Sequence, residues 1–281
     1  MRVRRVSFVL VVISLCYVVF AWPNASFGED KPTGQFSLTA ANQYVWRGYE
    51  LSRNSVVFQP SVSVGYKGFS ASIWGNLDSK PYAPGPSMND SAEWNETDLT
   101  FTYTKNFKLA NLSGGYIYYN LAPLRRDLPD RPDAQEFFIS LSLNTLFAPT
   151  LTVYREVSHY KNWYVLLGLS HELALSKVFA LKISGSVSYL ISTDEAFYPE
   201  FDDNALPTTK KFKHFHDGTF TVSLPVKLGP MFTLTPAMTC IFPLSRDAKN
   251  EMKGFALKGC PNPSDRENTF LVGSLTFGFS F

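Results

Sequence analysis

From Leu271 to Phe281 the side chains alternate without a break. Leu271, Gly273, Leu275, Phe277, Phe279 and Phe281 share one face, and Val272, Ser274, Thr276, Gly278 and Ser280 share the other. A period of two residues is that of an extended strand with two unlike faces. The same alternation places Phe220, Val222, Leu224, Val226 and Leu228 opposite Thr219, Thr221, Ser223, Pro225 and Lys227. Between 179 and 191, Phe179, Leu181, Ile183, Val187, Tyr189 and Ile191 oppose Ala180, Lys182, Ser184, Ser186 and Ser188. The minority face is made of Ser, Thr and Gly, not of the Lys and Glu that cover a soluble sheet. The segments run to about 9–13 residues, longer than an ordinary strand and suited to a tilted crossing of a bilayer.

Twelve such segments are predicted, at 35–46, 55–66, 69–78, 94–104, 111–120, 135–144, 149–157, 162–172, 179–191, 216–228, 231–242 and 268–281. Their connections carry separate information. From a periplasmic start every second gap is short: 67–68, 105–110, 145–148, 173–178 and 229–230. The others, at 47–54, 79–93, 121–134, 192–215 and 243–267, are longer, with 158–161 the one brief exception. Short turns on one side and long loops on the other are the habit of outer-membrane barrels. The expected fold is therefore all-β, an antiparallel up-and-down transmembrane barrel of about twelve strands, in the range ten to fourteen. Pro60, Pro225 and Pro236 each remove a ladder donor and weaken the pattern locally.

Composition fits that expectation. Aromatic residues make up 15% of the chain and charged residues only 18%, below the roughly 25% of soluble domains. Mean hydropathy is nevertheless −0.07, as alternation requires. Arg2, Arg4 and Arg5 precede an apolar run from Phe8 to Ala21 and a stretch of small residues. This is the order of a secretory signal, so residues 1–28 are expected to be removed after Gly28, leaving 29–281 as a single barrel domain. Without the three leader arginines the chain carries 23 basic and 24 acidic residues. The net charge of +2 thus comes from the leader and gives no reason to expect a nucleic-acid partner. Cys240 and Cys260 can form one disulfide in an oxidising compartment, and two unpaired thiols are the other reading.

The opening strands carry a family likeness. Tyr44-Val45-Trp46-Arg47-Gly48, then Pro60, then Gly65-Tyr66-Lys67-Gly68-Phe69, then Trp74-Gly75-Asn76 resembles the start of the TorF-type (Gcw_chp) family of proteobacterial porins. Glu96-Thr97-Asp98, Gly115-Tyr116 and the stretch from Tyr164 to Gly168 follow the family more loosely, and Ser72-Ile73 departs from its small, Gly-containing pair. The resemblance implies an outer-membrane barrel and a passive pore. It implies no cofactor and no catalytic residue.

Charged residues on the lumen face are the candidate site. Arg47, Asp98, Glu156, Lys182 and Lys227 fall there by parity, with Glu172 near the periplasmic rim. They either line a pore and set its ion preference or pair across the lumen and plug it. Arg155 has outward parity, which suits the headgroup level or a slipped register. His214 and His216 beside Asp217 are too few ligands for zinc and read as the polar base of a loop. No His has a Ser two positions after it, so a lipid hydrolase built on one strand face is not expected, and the chain is read as non-enzymatic. Phe277, Phe279 and Phe281 read as a C-terminal signal for the barrel assembly machinery. The expected function is a passive channel for small hydrophilic solutes, in contact with outer-membrane lipid and lipopolysaccharide. The alternatives are a closed barrel acting through its long loops, a lipid hydrolase and a soluble sandwich.

Overall fold

The computed structural model describes residues 31–52, 55–81, 91–122, 132–255 and 267–281. The proposed leader and Cys260 lie outside them. Each strand is held by the alternation that marks it in the sequence. The elements are β1 (Thr33–Ala41), β2 (Val45–Trp46), β3 (Tyr49–Glu50), β4 (Val57–Tyr66), β5 (Phe69–Asp78), β6 (Glu93–Asn106), β7 (Ala110–Leu121), β8 (Ala134–Leu143) and β9 (Thr150–Glu156). They continue with β10 (Asn162–Ala174), β11 (Ala180–Ser192), β12 (Pro199–Phe201), β13 (Pro207–Lys211), β14 (Lys213–Ser223), β15 (Val226–Lys227), β16 (Phe232–Pro243), helix α1 (Arg246–Phe255) and β17 (Phe270–Ser280).

Twelve strands close into an antiparallel barrel: β1, β4 to β11, β14, β16 and β17, with β15 continuing β14 past Pro225. The first and last strands pair from Gln35↔Ser280 to Ala41↔Ser274, which removes the sheet edges. Phe281 and Gly34 exchange two backbone hydrogen bonds of 3.0 Å at the end of that seam. No helix among the described residues is long and apolar enough to cross a membrane, which says nothing against strands. The outward face carries residues such as Val62, Val64, Phe101, Ile139, Leu167 and Leu271, each about half exposed. An uncovered apolar belt of that kind is stable only against lipid.

The prolines sit where a missing donor does least harm. Pro225 falls between β14 and β15, and Pro60 keeps its register with β1 but has no partner residue on β5. Two expectations are corrected at the barrel's rim. The alternation extends the first strand to residue 46, but the strand stops at Ala41. Asn42 ends it by bonding across the seam, its Nδ2 donating to Leu271 O (3.3 Å) and its Oδ1 accepting from Gly273 N (2.9 Å). The alternation places the tenth at 216–228, but it begins at Lys213 and breaks at Pro225. Helix α1, within the loop after β16, has no counterpart in the strand pattern. Ser245 caps it by accepting from Ala248 N at 3.0 Å, with Asp247 in the first turn and Lys253 in the last.

Candidate functional site

The lumen has two tiers. Toward the short-turn end its lining is mostly Ser, Thr, Gln and Gly, with Glu172 and Lys182 as charged exceptions. Facing hydroxyls pair across strands: Thr39–Thr276 at 2.8 Å, Thr104–Ser113 at 2.9 Å, Ser140–Thr152 at 2.8 Å and Ser186–Thr219 at 2.7 Å. Thr39, Thr276, Thr104, Ser113 and Ser140 are half-buried, as on a wall beside an unpacked lumen, whereas Thr152, Ser186 and Thr219 are buried. Toward the long loops the inward residues become large. Ile117, Tyr119, Tyr154, Tyr164, Leu166 and Leu190 form one buried cluster, and Ile241, Phe270 and Val272 another. The parity of Val272 with Ser274 correctly puts it inside, where it packs against loop residues rather than facing water.

Those loop residues come from a hairpin folded into the barrel. β2 and β3 pair Trp46 with Tyr49, leaving Arg47 and Gly48 as a two-residue turn with φ of 48° and 78°. Two positive φ values give the turn that best matches strand twist, and Gly at the second position accepts it without strain. Tyr44 and Val45 are buried against Ala41, Val57 and Val272. Arg47 at the tip therefore lies in the lumen, though on an inserted hairpin and not on a barrel strand.

Arg47 makes a bidentate ion pair with Glu136 on β8, at 2.7 and 2.8 Å. Tyr119 donates to the same carboxylate at 2.8 Å. The guanidinium also lies 4.4, 4.7 and 4.2 Å from the ring centroids of Trp46, Tyr154 and Tyr164. A buried charge pair holds only when its remaining donors and acceptors are satisfied, and here the aromatic faces take the space water would have filled.

A second set locks helix α1 to the wall. Glu251, fully buried, accepts from Tyr49 Oη (2.6 Å) and faces His216 Nε2 (2.7 Å). His216 Nδ1 lies 3.0 Å from Asp217 Oδ1, which also accepts from Tyr164 Oη (2.7 Å) and Ser188 Oγ (2.6 Å). Consecutive strand residues normally point to opposite faces. A bulge opposite Ser188, where Val187↔Gly218 passes to Tyr189↔Phe215, turns both His216 and Asp217 inward. An imidazole facing an acceptor at each nitrogen satisfies both only as the imidazolium. Burial, with Glu251 beside it, pushes the Tyr49 hydroxyl well above its ordinary range, so it stays a donor.

The remaining candidates are scattered. Asp98 is buried on β6, between Trp74 and Tyr119 in the register. Glu156 organises the loop after β9, accepting from Ser158 N (3.0 Å), His159 N (3.2 Å) and Lys161 N (2.6 Å). Glu172 faces Lys182 across β10 and β11 at the short-turn end, and Lys227 is exposed on β15. Arg155 keeps its outward register, between Phe137 and Trp163. His214 meets Glu200 at 3.1 Å and Asp247 at 3.5 Å instead of joining His216. Among the described residues no group of three or more His, Cys, Asp or Glu is placed to hold a metal ion. Cys240 pairs in register with the outward-facing Phe220 and Leu271, and its proposed partner lies outside the described residues. Phe277 and Phe279 pack on Phe232 at 5.7 and 5.0 Å, and Phe281 on Phe279 at 5.7 Å. Neither His216 nitrogen faces a hydroxyl nucleophile, since Ser188 bonds to Asp217.

Glu136, Tyr119, Tyr164 and Glu251 were not among the sequence candidates. The parity that places Ser140 and Ser142 inside places Glu136 there too, so its signal was present. Glu251 left none, because a loop has no strand parity to read.

No family model matches the chain, and no curated protein does. Solved structures do. The NanC porin is 12% identical, with 88% of this chain and 98% of that one covered at a TM-score of 0.50. The translocator domain of autotransporter NalP from Neisseria meningitidis is 10% identical, covering 89% and 88% at a TM-score of 0.39. The outer membrane protease OmpT from Escherichia coli is 9% identical, covering 90% and 97% at a TM-score of 0.26. With the NanC porin this chain shares the fold of an outer-membrane barrel.

Proposed function

We propose that the protein is an outer-membrane channel for small hydrophilic solutes or ions, related to the TorF-type porins, whose outer mouth is closed by a movable plug. The observation that carries this reading is the two-tier lumen. A barrel built only as a scaffold gains from a filled core throughout, whereas this one keeps partly exposed hydroxyls such as Ser63, Thr104, Ser113 and Ser142 in its short-turn half, beside buried ones such as Ser70 and Ser223. Hairpin β2–β3 and helix α1 close the other half through two ion-paired clusters, which are polar enough to be rehydrated on opening. The leader places the chain in the secretory route, the assembly machinery inserts it through the strand ending at Phe281, and the long loops face outward. The lumen charges Lys182 and Glu172 then stand at the periplasmic rim, and Asp98 stands beside the plug, in register with Trp74 and Tyr119.

Planar-bilayer recording tests this. The native protein is expected to give small, infrequent steps, and a variant with 246–255 replaced by a short Gly-Ser linker larger and longer ones. If neither gives discrete steps, the channel fails. The second reading, a closed barrel acting through its loops, is favoured by the burial of Arg47 with Glu136 and gains from that result.

A further inference from the structure

Arg155 and Lys213 stand in one cross-strand row on the outer face of the barrel. The register runs Phe137, Arg155, Trp163, Ile191, Lys213 across β8, β9, β10, β11 and β14. Phe137 and Trp163 are 55% and 40% exposed, so this face points away from the lumen. The next row toward the waist is Ile139, Val153, Val165, Tyr189 and Phe215, with the last two rings edge to face at 5.2 Å. The two cations thus mark the upper border of a continuous apolar surface, just below the long loops.

An outward cation is tolerated near the interface and disfavoured at mid-depth, which fixes the level of this row. Its neighbours in the loops are neutralised: Lys161 bonds to Asp194 at 3.1 Å, Lys210 lies 3.7 Å from Glu200 and Lys211 lies 3.5 Å from Glu195. Arg155 and Lys213 have no carboxylate partner among the described residues. Arg155 instead rests 5.1 Å from the Trp163 ring centroid, with Thr193 Oγ1 at 3.4 Å. Three interstrand steps separate the two cations, about 14 Å. One phosphate cannot bridge that distance, whereas two phosphates at opposite ends of a sugar headgroup can.

We propose that Arg155 and Lys213 form a two-point site for a diphosphorylated glycolipid of the lipid A class, with its acyl chains lying on the Tyr189 and Phe215 row. This rests on the loop end facing the outer leaflet, as in the proposed function, but not on the lumen conducting. The full chain, refolded in micelles, is titrated by native mass spectrometry with diphosphoryl lipid A, monophosphoryl lipid A and phosphatidylglycerol. Diphosphoryl lipid A is expected to bind most tightly. Arg155→Gln and Lys213→Gln should each weaken it about fivefold, the worth of one cation at a membrane surface. Lys108→Gln, at the short-turn end, should leave it unchanged. Equal binding of the three lipids, an unchanged double variant, or the same loss in Lys108→Gln would overturn the site. Conductance is recorded on the same preparations. A barrel that conducts but does not discriminate the lipids loses this site alone, and one that discriminates without conducting keeps it while counting against the channel.

Discussion

Removing Arg47 leaves Glu136 buried with Tyr119 as its remaining donor. Breaking a buried pair from one side usually costs about 3–5 kcal/mol, more than replacing both partners with apolar groups of similar size. Arg47→Ala should therefore destabilise the seated hairpin by about that much, and Arg47→Met with Glu136→Leu by clearly less. Urea titration followed by tryptophan fluorescence gives both values, since Trp46 lies 4.4 Å from the guanidinium. Equal losses in the single and double variants would mean that the ion pair does not hold the plug. Asp194 lies on the surface, where the hydrogen bond from Lys161 holds its carboxyl below the usual range. A depressed carboxyl stabilises the fold above its unfolded pKa, near 3.9, and that contribution disappears as pH falls through the folded value. Exchange protection of the loop from 193 to 198 should stay constant from pH 7 to about 5 and fall only below about 4. In Lys161→Ala the fall should begin at higher pH.

The inserted hairpin depends on its turn. Gly48 has φ of 78°, and a Cβ there would meet the flexible end of the Met252 side chain on α1, so Gly48→Ala strains the turn and forces Met252 to repack. The hairpin should unseat while the barrel remains folded, seen as increased conductance with unchanged heat-modifiable migration on gels. The helix has its own weak point. Ser245→Ala removes the cap and should cost about 1 kcal/mol, so that a protease cuts within 246–255 sooner than in the native protein. Elements differ in how well the sequence reveals them. The barrel strands were legible because each repeats a two-residue contrast between lipid and lumen over ten or so positions. Hairpin β2–β3 has too few residues to show a period, although Arg47-Gly48 matches the chemistry of its turn. The bulge at His216 and Asp217 is invisible to parity, because it consists of a break in parity. Helix α1 falls within a loop and buries only Ala248, Asn250, Glu251 and Met252, too few positions to show a period.

At the scale of the molecule, alternating short and long connections gave the topology and the end to which each rim residue belongs. What they could not give was whether the lumen is filled, since that depends on loops returning to residues far away in the chain. Arg47 meets Glu136, and Tyr49 meets Glu251, 202 residues later. That separation has a consequence for how the protein matures. The hairpin leaves the ribosome near the start of the barrel, yet its partners on β8, β14 and α1 come much later, and the seam of β1 with β17 forms with the last residues. The tip has nothing to hold it until the wall is complete around it. Seating is then the final act of assembly, and a half-inserted barrel would stay unlatched, its tryptophan still in water. Time-resolved refolding into micelles should show strand formation by circular dichroism ahead of the Trp46 fluorescence change, with Trp46→Phe removing the slow phase.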